Sequence, residues 1–137
     1  MIVVDAEDLI MGRLASQVAK MLITGSEVAI VNAEKVIISG SKKQIIEDYF
    51  QRRKRGGARK GPHYPRMPDR ILKRAVRGMI PYKKPRGKEA FSKLKVYIGV
   101  PRELEGETLN TVSNASAKGK VKYIMLGDVS RQLGAKF

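Results

Sequence analysis

Short apolar runs alternate with stretches of helical periodicity in the first half of the chain, and this alternation constrains the fold more than any other feature. The runs cover residues 2–4, 28–31 and 36–38, and the last two are divided by a turn at 32–35. Apolar residues follow one another without polar interruption, which is typical of strands covered on both faces. The pattern therefore predicts an α/β fold with a small, mostly parallel sheet between helices.

Two amphipathic helices are predicted next to these strands. The first ends near Gly25, and its inward face consists of Leu14, Ala15, Val18, Ala19, Leu22 and Ile23. The second is expected to begin at Ser41, which has capping-box spacing to Gln44. Its inward face consists of Ile45, Ile46, Tyr49 and Phe50.

The second half predicts a smaller set of elements. We expect a helix over about 69–79, a helical turn near 88–93 and a strand over 94–98. Residues 121–126 predict a last strand or the start of a helix, and Val129 and Leu133 indicate a short closing helix. No internal repeat is visible, and 137 residues with 42% hydrophobic content fit one domain, 1–137, with one core.

The positive charge is concentrated in one segment. The net charge is +15, and residues 51–88 hold 15 Lys and Arg against one acid, Asp69, whereas the other 99 residues hold 13 basic and 12 acidic groups. A basic surface that served only solubility would spread its charge. The concentration therefore favours a dedicated element that binds a polyanion, attached to a nearly neutral domain.

The first part of this segment, 52–67, has the sequence RRKRGGARKGPHYPRM, with three Gly, two Pro and no apolar periodicity. It predicts an extended basic loop that becomes ordered when it binds RNA. His63 and Tyr64 are candidates for stacking on unpaired bases. The alternative is a basic insertion without defined contacts.

The second part, 68–88, predicts a basic helix followed by a Pro-rich connector. At helical spacing, Ile71, Leu72, Ala75, Val76 and Met79 fall on one side, and Arg70, Lys73, Arg74 and Arg77 fall on the other. Like charges at this spacing destabilise an isolated helix. The cationic face thus indicates phosphates as external partners, and a solvated basic face is the alternative interpretation.

Motifs for catalysis or cofactor binding do not stand out. The chain has no cysteine, no P-loop, no GxGxxG pattern and a single histidine, His63, so we expect neither a metal nor a cofactor nor a small-molecule substrate. Residues 39–43 are interpreted as a turn and helix cap rather than an anion site, and Asp5, Glu7 and Asp8 as capping groups. The apolar stretches are too short for a membrane span.

Several motifs taken together resemble the ribosomal protein L13 family. They are VRGMIP at 76–81, YKKPRGK at 82–88, LKVYIG at 94–99, DA at 5–6 before GRLAS at 12–16, and VNAEK at 31–35. The resemblance covers nearly the whole chain. The HYPR sequence at 63–66 and the absence of a long C-terminal helical extension resemble the archaeal members of the archaeal and eukaryotic branch.

The resemblance implies a three-layer α/β/α domain that is a structural constituent of the large ribosomal subunit in the cytoplasm. It implies binding to large-subunit rRNA, a role in subunit assembly, contacts with neighbouring ribosomal proteins, and no enzymatic activity. Charge and resemblance agree on the expected RNA contacts, which are Arg52, Arg53, Lys54, Arg55, Arg59, Lys60, Arg66, Arg70, Lys73, Arg74, Arg77, Lys83, Lys84, Arg86 and Lys88.

Two other function classes fit a chain this basic. A chromatin-like DNA-binding protein would bind duplex DNA about as well as rRNA and would show a dimerisation face or a groove-reading helix. An RNA-modifying enzyme would show a deep pocket lined by titratable groups.

Overall fold

The computed structural model describes residues 1–55, 59, 61, 63–112, 115 and 122–137, and its centre is a three-stranded parallel sheet. Strand β2 (Val28–Val31) lies between β1 (Ile2–Asp5) and β4 (Leu94–Val96). All four residues of β2 are buried, as the uninterrupted apolar run predicts. The α/β fold with a small, mostly parallel sheet is confirmed.

The helices are α1 (Met11–Ile23), α2 (Lys42–Lys54), α3 (Pro68–Arg77), α4 (Pro85–Ser92) and α5 (Leu126–Gln132). Helix α1 packs against α3 and α4, and one cluster of buried residues joins all five helices to the sheet. Within the described ranges, no helix is both long enough and apolar enough to cross a membrane.

The opposite face of the sheet has a thinner cover. Val3, Ala29 and Val31 form a separate small cluster there, and Tyr97 and Leu104 pack against it. Leu104 belongs to a 3-10 turn at Arg102–Leu104. Among the described residues, the second outer layer therefore consists of the segment that follows β4, while the longer helices share the other side.

Residues 36–38 do not join the parallel sheet, so that part of the prediction is wrong. Strand β3 (Ile37–Ser39) pairs antiparallel with β5 (Tyr123–Met125), and only its first residue is buried. Asn32, at φ 58°, and the 3-10 turn at Ala33–Lys35 redirect the chain after β2. The predicted closing strand and helix are present as β5 and α5, while Val121 lies outside the described residues.

Three apolar residues assigned to inward helix faces are exposed instead. Ile23 is 51% exposed, Phe50 42% and Met79 45%. Ile23 ends α1, and α3 stops at Arg77, so Met79 leaves the helical phase and Ile80, only 6% exposed, turns inward. Periodicity gives a residue's angle around the helix axis, but burial also needs a neighbouring element at the same position along that axis.

The ends of α2 also differ from the prediction. Ser41 is the N-cap residue, but its side chain makes no capping hydrogen bond, so the capping box is wrong. The helix continues through Lys54, so Arg52, where the basic loop was predicted to start, is helical, and Arg55 is the first residue after the helix. As a result, Arg52, Arg53 and Lys54 form a cationic last turn, where positive side chains interact favourably with the helix dipole.

Candidate nucleic-acid interface

Residues 63–66 connect the last turn of α2 with the polar face of α3. The guanidinium of Arg53 donates a hydrogen bond to the carbonyl oxygen of Tyr64. Nη1 of Arg74, on α3, donates to the carbonyl oxygen of His63 at 3.4 Å. These two contacts hold the end of the basic loop between the two helices, so the cations of α2 and α3 lie side by side.

The ring of Tyr64 forms the centre of a first aromatic and cationic cluster. The guanidinium carbon of Arg74 lies 4.7 Å from the ring centroid and that of Arg52 lies 5.8 Å from it. Tyr49 packs edge-on against Tyr64, with 5.9 Å between centroids. Cation–π contacts of this kind fix long side chains without neutralising them. Tyr64 therefore orients two of the predicted contact residues, and its predicted stacking on a base stays a prediction.

Tyr49 supplies the buried base of this cluster. It is 5% exposed, and the guanidinium carbon of Arg52 lies over its ring, 4.9 Å from the centroid. Burial, reinforced by the nearby Tyr64 phenol, raises the pKa of Tyr49 to about 12. The phenol is neutral at physiological pH and gives Arg52 no anionic partner.

The two faces of α3 are separated as predicted. Ile71, Leu72 and Val76 are buried in the main core. On the other side Arg70 and Arg77 are exposed, whereas Lys73 and Arg74 are half-buried.

Ion pairing does not neutralise these cations in the part of the chain that the structure describes. The ion pairs found there join Lys35 to Glu7 and Arg131 to Asp128, both outside the basic segment. Asp69, the one acid of that segment, lies in the first turn of α3 and forms no ion pair with a described residue. The polar face of α3 therefore presents an uncompensated positive charge to any ligand.

A second aromatic and cationic cluster lies where α3 meets α4. Tyr82 and Phe91 pack edge to face with 5.4 Å between centroids. Arg77 lies 5.1 Å from the Tyr82 centroid, and the Lys73 ammonium lies 5.2 Å from that of Phe91. Neither aromatic residue was predicted to belong to the site; the available signal was that Tyr82 begins the basic YKKPRGK motif and Phe91 follows it closely.

Gly87, in the first turn of α4, allows the backbone of Pro81 and Tyr82 in the connector to lie against that helix. A Cβ atom at this position would lie 1.8 Å from the carbonyl oxygen of Pro81, so no other residue fits without moving the backbone. Lys83 and Lys84, which follow Tyr82 in the chain, are exposed.

Two shallow clefts border α3. We call the first the α3–α4 recess; it has a volume of about 230 Å³ and is lined by Pro65, Arg70, Lys73, Arg74, Arg77 and Phe91. The second lies between Arg53, Arg66 and Arg70 and the C-terminal residues 134–136. Neither resembles the deep pocket, lined by titratable acids and bases, that an enzyme would need.

We call the 15 predicted contact residues the basic belt. Fourteen are described, and Lys60 lies outside the described residues. Eleven are exposed, and three, Arg53, Lys73 and Arg74, are half-buried. The structure brings together those on the last turn of α2, on residues 63–66, on α3 and on the connector.

The acidic group near the N-terminus has a structural role. Oδ1 of Asp5 accepts hydrogen bonds from Nδ2 of Asn32 at 2.9 Å and from the backbone N–H of Glu7 at 3.0 Å. Glu34 accepts one from the N–H of Gly99 at 2.9 Å. These bonds join the segments that follow β1, β2 and β4. In the described ranges, no group of three or more His, Asp or Glu side chains is arranged to hold a metal ion.

Comparison with known proteins gives a consistent result. A family model described as "Ribosomal protein L13" matches residues 1–103. Proteins named "Large ribosomal subunit protein uL13" from Methanococcoides burtonii and Methanosarcina barkeri are 55% and 51% identical, in both cases over 100% of each chain. The protein of that name from Methanococcus maripaludis is 48% identical, also over 100% of both chains.

Proposed function

Since the chain belongs to the ribosomal protein L13 family, it is a structural, non-enzymatic constituent of the large ribosomal subunit, and we propose that it binds large-subunit rRNA through the basic belt. The archaeal branch and the location on the cytoplasmic ribosome, both predicted from the resemblance, agree with this membership. The further proposals concern which residues bind RNA and what the binding achieves.

The observation that carries the proposal is the uncompensated cationic face of α3. Its four cations cost free energy through mutual repulsion, and none forms an ion pair with a described residue. Aromatic rings hold Lys73, Arg74 and Arg77 in place, so the arrangement is organised before a ligand arrives. RNA phosphates would remove the repulsion and release counterions, which is the largest favourable contribution to binding of this kind.

Each part of the belt has a distinct task in this proposal. The basic segment 52–67, whose first three residues form the last turn of α2, reaches into the RNA, while the helix and connector at 68–88 set the register against phosphates. The neutral remainder of 1–137 acts as the scaffold. Recognition follows the tertiary shape of the rRNA more than its base sequence. By neutralising crowded phosphates, the protein supports assembly of the subunit, and its remaining surface meets neighbouring ribosomal proteins.

Binding of the full-length protein to transcribed large-subunit rRNA tests this proposal. We expect log affinity to fall steeply with log salt concentration, by about 0.7 to 0.9 for each phosphate contacted. Affinity for duplex DNA of the same length should be at least tenfold weaker at the same salt concentration. Equal affinity for the two polymers would contradict an rRNA-specific function and favour a general DNA-binding protein.

A further inference from the structure

We propose that the α3–α4 recess holds one nucleobase that is unstacked from the rRNA, with Phe91 as its stacking platform. The proposal rests on the proposed rRNA binding and adds to it a site for a base, whereas the basic belt was assigned to phosphates. The juxtaposition behind it is an aromatic ring, Phe91, that lines the same cleft as four cationic side chains.

The recess has the dimensions of a site for a single ring system. Its volume of about 230 Å³ is below the range of about 300 to 1,000 Å³ that is typical of small-molecule sites. Phe91 and Pro65 supply apolar surface, and the methylene stems of the half-buried Lys73 and Arg74 extend it. A nucleotide matches this combination, because its base has flat apolar faces and its backbone carries a phosphate.

Phe91 is held as a rigid platform. It is half-buried and packs against the main core cluster, and Tyr82 supports it edge-on. Splayed RNA bases commonly stack on such rings or on arginine planes. The Lys73 ammonium, 5.2 Å from the Phe91 centroid, occupies this ring in the free protein. Its flexible stem lets the ammonium move to the phosphate of the bound nucleotide, so that the base can stack on the Phe91 ring.

The Tyr64 ring of the first aromatic cluster is covered by two cations, whereas one cation contacts Phe91. Tyr49 is buried, and the Tyr64 ring is covered by Arg74 and Arg52 and by the Tyr49 edge. Phe91 therefore carries the stacking. An acidic peptide from a neighbouring protein would also meet the cationic rim, but carboxylates gain nothing from an aromatic platform. The aromatic ring among the lining residues thus favours a base.

Crosslinking followed by a mutant cycle tests the site. Ultraviolet crosslinking of the full-length protein to large-subunit rRNA should attach one nucleotide to the peptide that contains Phe91. Phe91→Leu keeps the apolar volume but removes the aromatic face, and we expect it to weaken binding about tenfold with an unchanged salt slope. An abasic substitution at the crosslinked nucleotide should cause a similar loss. Phe91→Leu and the abasic substitution combined should weaken binding no more than either change alone.

Phe137→Leu is the matched control. Phe137 is 43% exposed and also lies under a cation, Arg131, at 4.7 Å, but that arginine is already paired with Asp128. We expect this variant to bind rRNA like the unmodified protein. Phe91→Tyr keeps an aromatic face and should restore most of the affinity; this comparison remains informative if Phe91→Leu lowers the melting temperature.

The outcomes separate this proposal from the function on which it rests. If the unmodified protein does not bind rRNA, the proposed function fails. If it binds with a steep salt slope but Phe91→Leu binds equally well, only the base site is overturned. The same holds if the affinity losses from Phe91→Leu and from the abasic substitution multiply in the double variant. If Phe91→Leu binds rRNA normally but does not enter large subunits, the recess takes a protein neighbour, which also overturns the base site.

Discussion

Helices α1 and α3 pack against each other and against the same core, yet their outer faces differ. Helix α1 exposes two cations, Arg13 and Lys20, seven residues apart. Helix α3 carries four cations in eight residues, three of them in contact with aromatic rings. The inner faces meet the same packing requirement. We attribute the difference to what each helix meets outside the protein, in line with the rRNA binding proposed for α3.

The largest effect is expected from neutralising the first part of the belt. Seven cations would be changed to Gln, namely Arg52, Arg53, Lys54, Arg55, Arg59, Lys60 and Arg66. If these side chains contact about five to seven phosphates, the slope of log affinity against log salt should become shallower by about four to six units. Filter binding over a salt series measures the slope.

A control with the same loss of charge tests whether placement matters. It changes seven cations outside the belt to Gln, namely Arg13, Lys20, Lys42, Lys43, Lys95, Arg102 and Lys122. We expect this variant to retain most of the slope. An equal flattening would show that total charge, rather than the difference between the two regions, determines binding.

Charge reversal compares the two helices directly. Arg70→Glu with Arg77→Glu should weaken rRNA binding and reduce the salt slope by about one to two units, because two phosphate contacts are lost. Both side chains are exposed, so the fold should remain intact by circular dichroism. Arg74 is less suitable for this experiment because it is half-buried and also donates a hydrogen bond to the carbonyl oxygen of His63.

Arg13→Glu with Lys20→Glu is the matched control on α1. It has the same change in charge and the same seven-residue spacing, and both residues are exposed. Its incorporation into large subunits should be close to normal, whereas the α3 variant should be depleted from them. Equal depletion of both variants would remove the distinction between the helices.

A smaller effect is expected from removing the ring that orients Arg52 and Arg74. Tyr64→Ala leaves every cation in place, so the salt slope should not change. Affinity should fall about 3- to 10-fold because the two cation–π contacts no longer restrict the arginines. Tyr64→Phe keeps the ring and should bind within about twofold of the unmodified protein. A loss with Tyr64→Phe as large as with Tyr64→Ala would assign the effect to the hydroxyl instead.

The smallest effect concerns the neutral scaffold, which should have no cofactor of its own. ATP, NAD or S-adenosylmethionine at millimolar concentration should shift the melting temperature by less than about 1 °C, since a ligand stabilises a protein only if it binds the folded state. Differential scanning fluorimetry measures this shift. A stabilisation of several degrees would contradict the expected absence of a cofactor.

The sequence by itself determined the local structure and the position of the charge. Uninterrupted apolar runs predicted β1 and β2, and the pattern of residues 70–76 predicted both faces of α3, because periodicity and side-chain type act over a few neighbouring residues. The concentration of cations at 51–88 was visible without any coordinates. The motifs sufficed to indicate the family.

Only the tertiary structure decided which distant residues meet. It placed Tyr64 under Arg74, brought Tyr82 against Phe91, and paired β3 with β5 rather than with the parallel sheet. It also turned Ile80 inward in place of Met79. These outcomes depend on where elements end and on which neighbour covers them, and that information is distributed over the whole chain. Local spacing does not contain it, because burial and close contact are properties of the packed core.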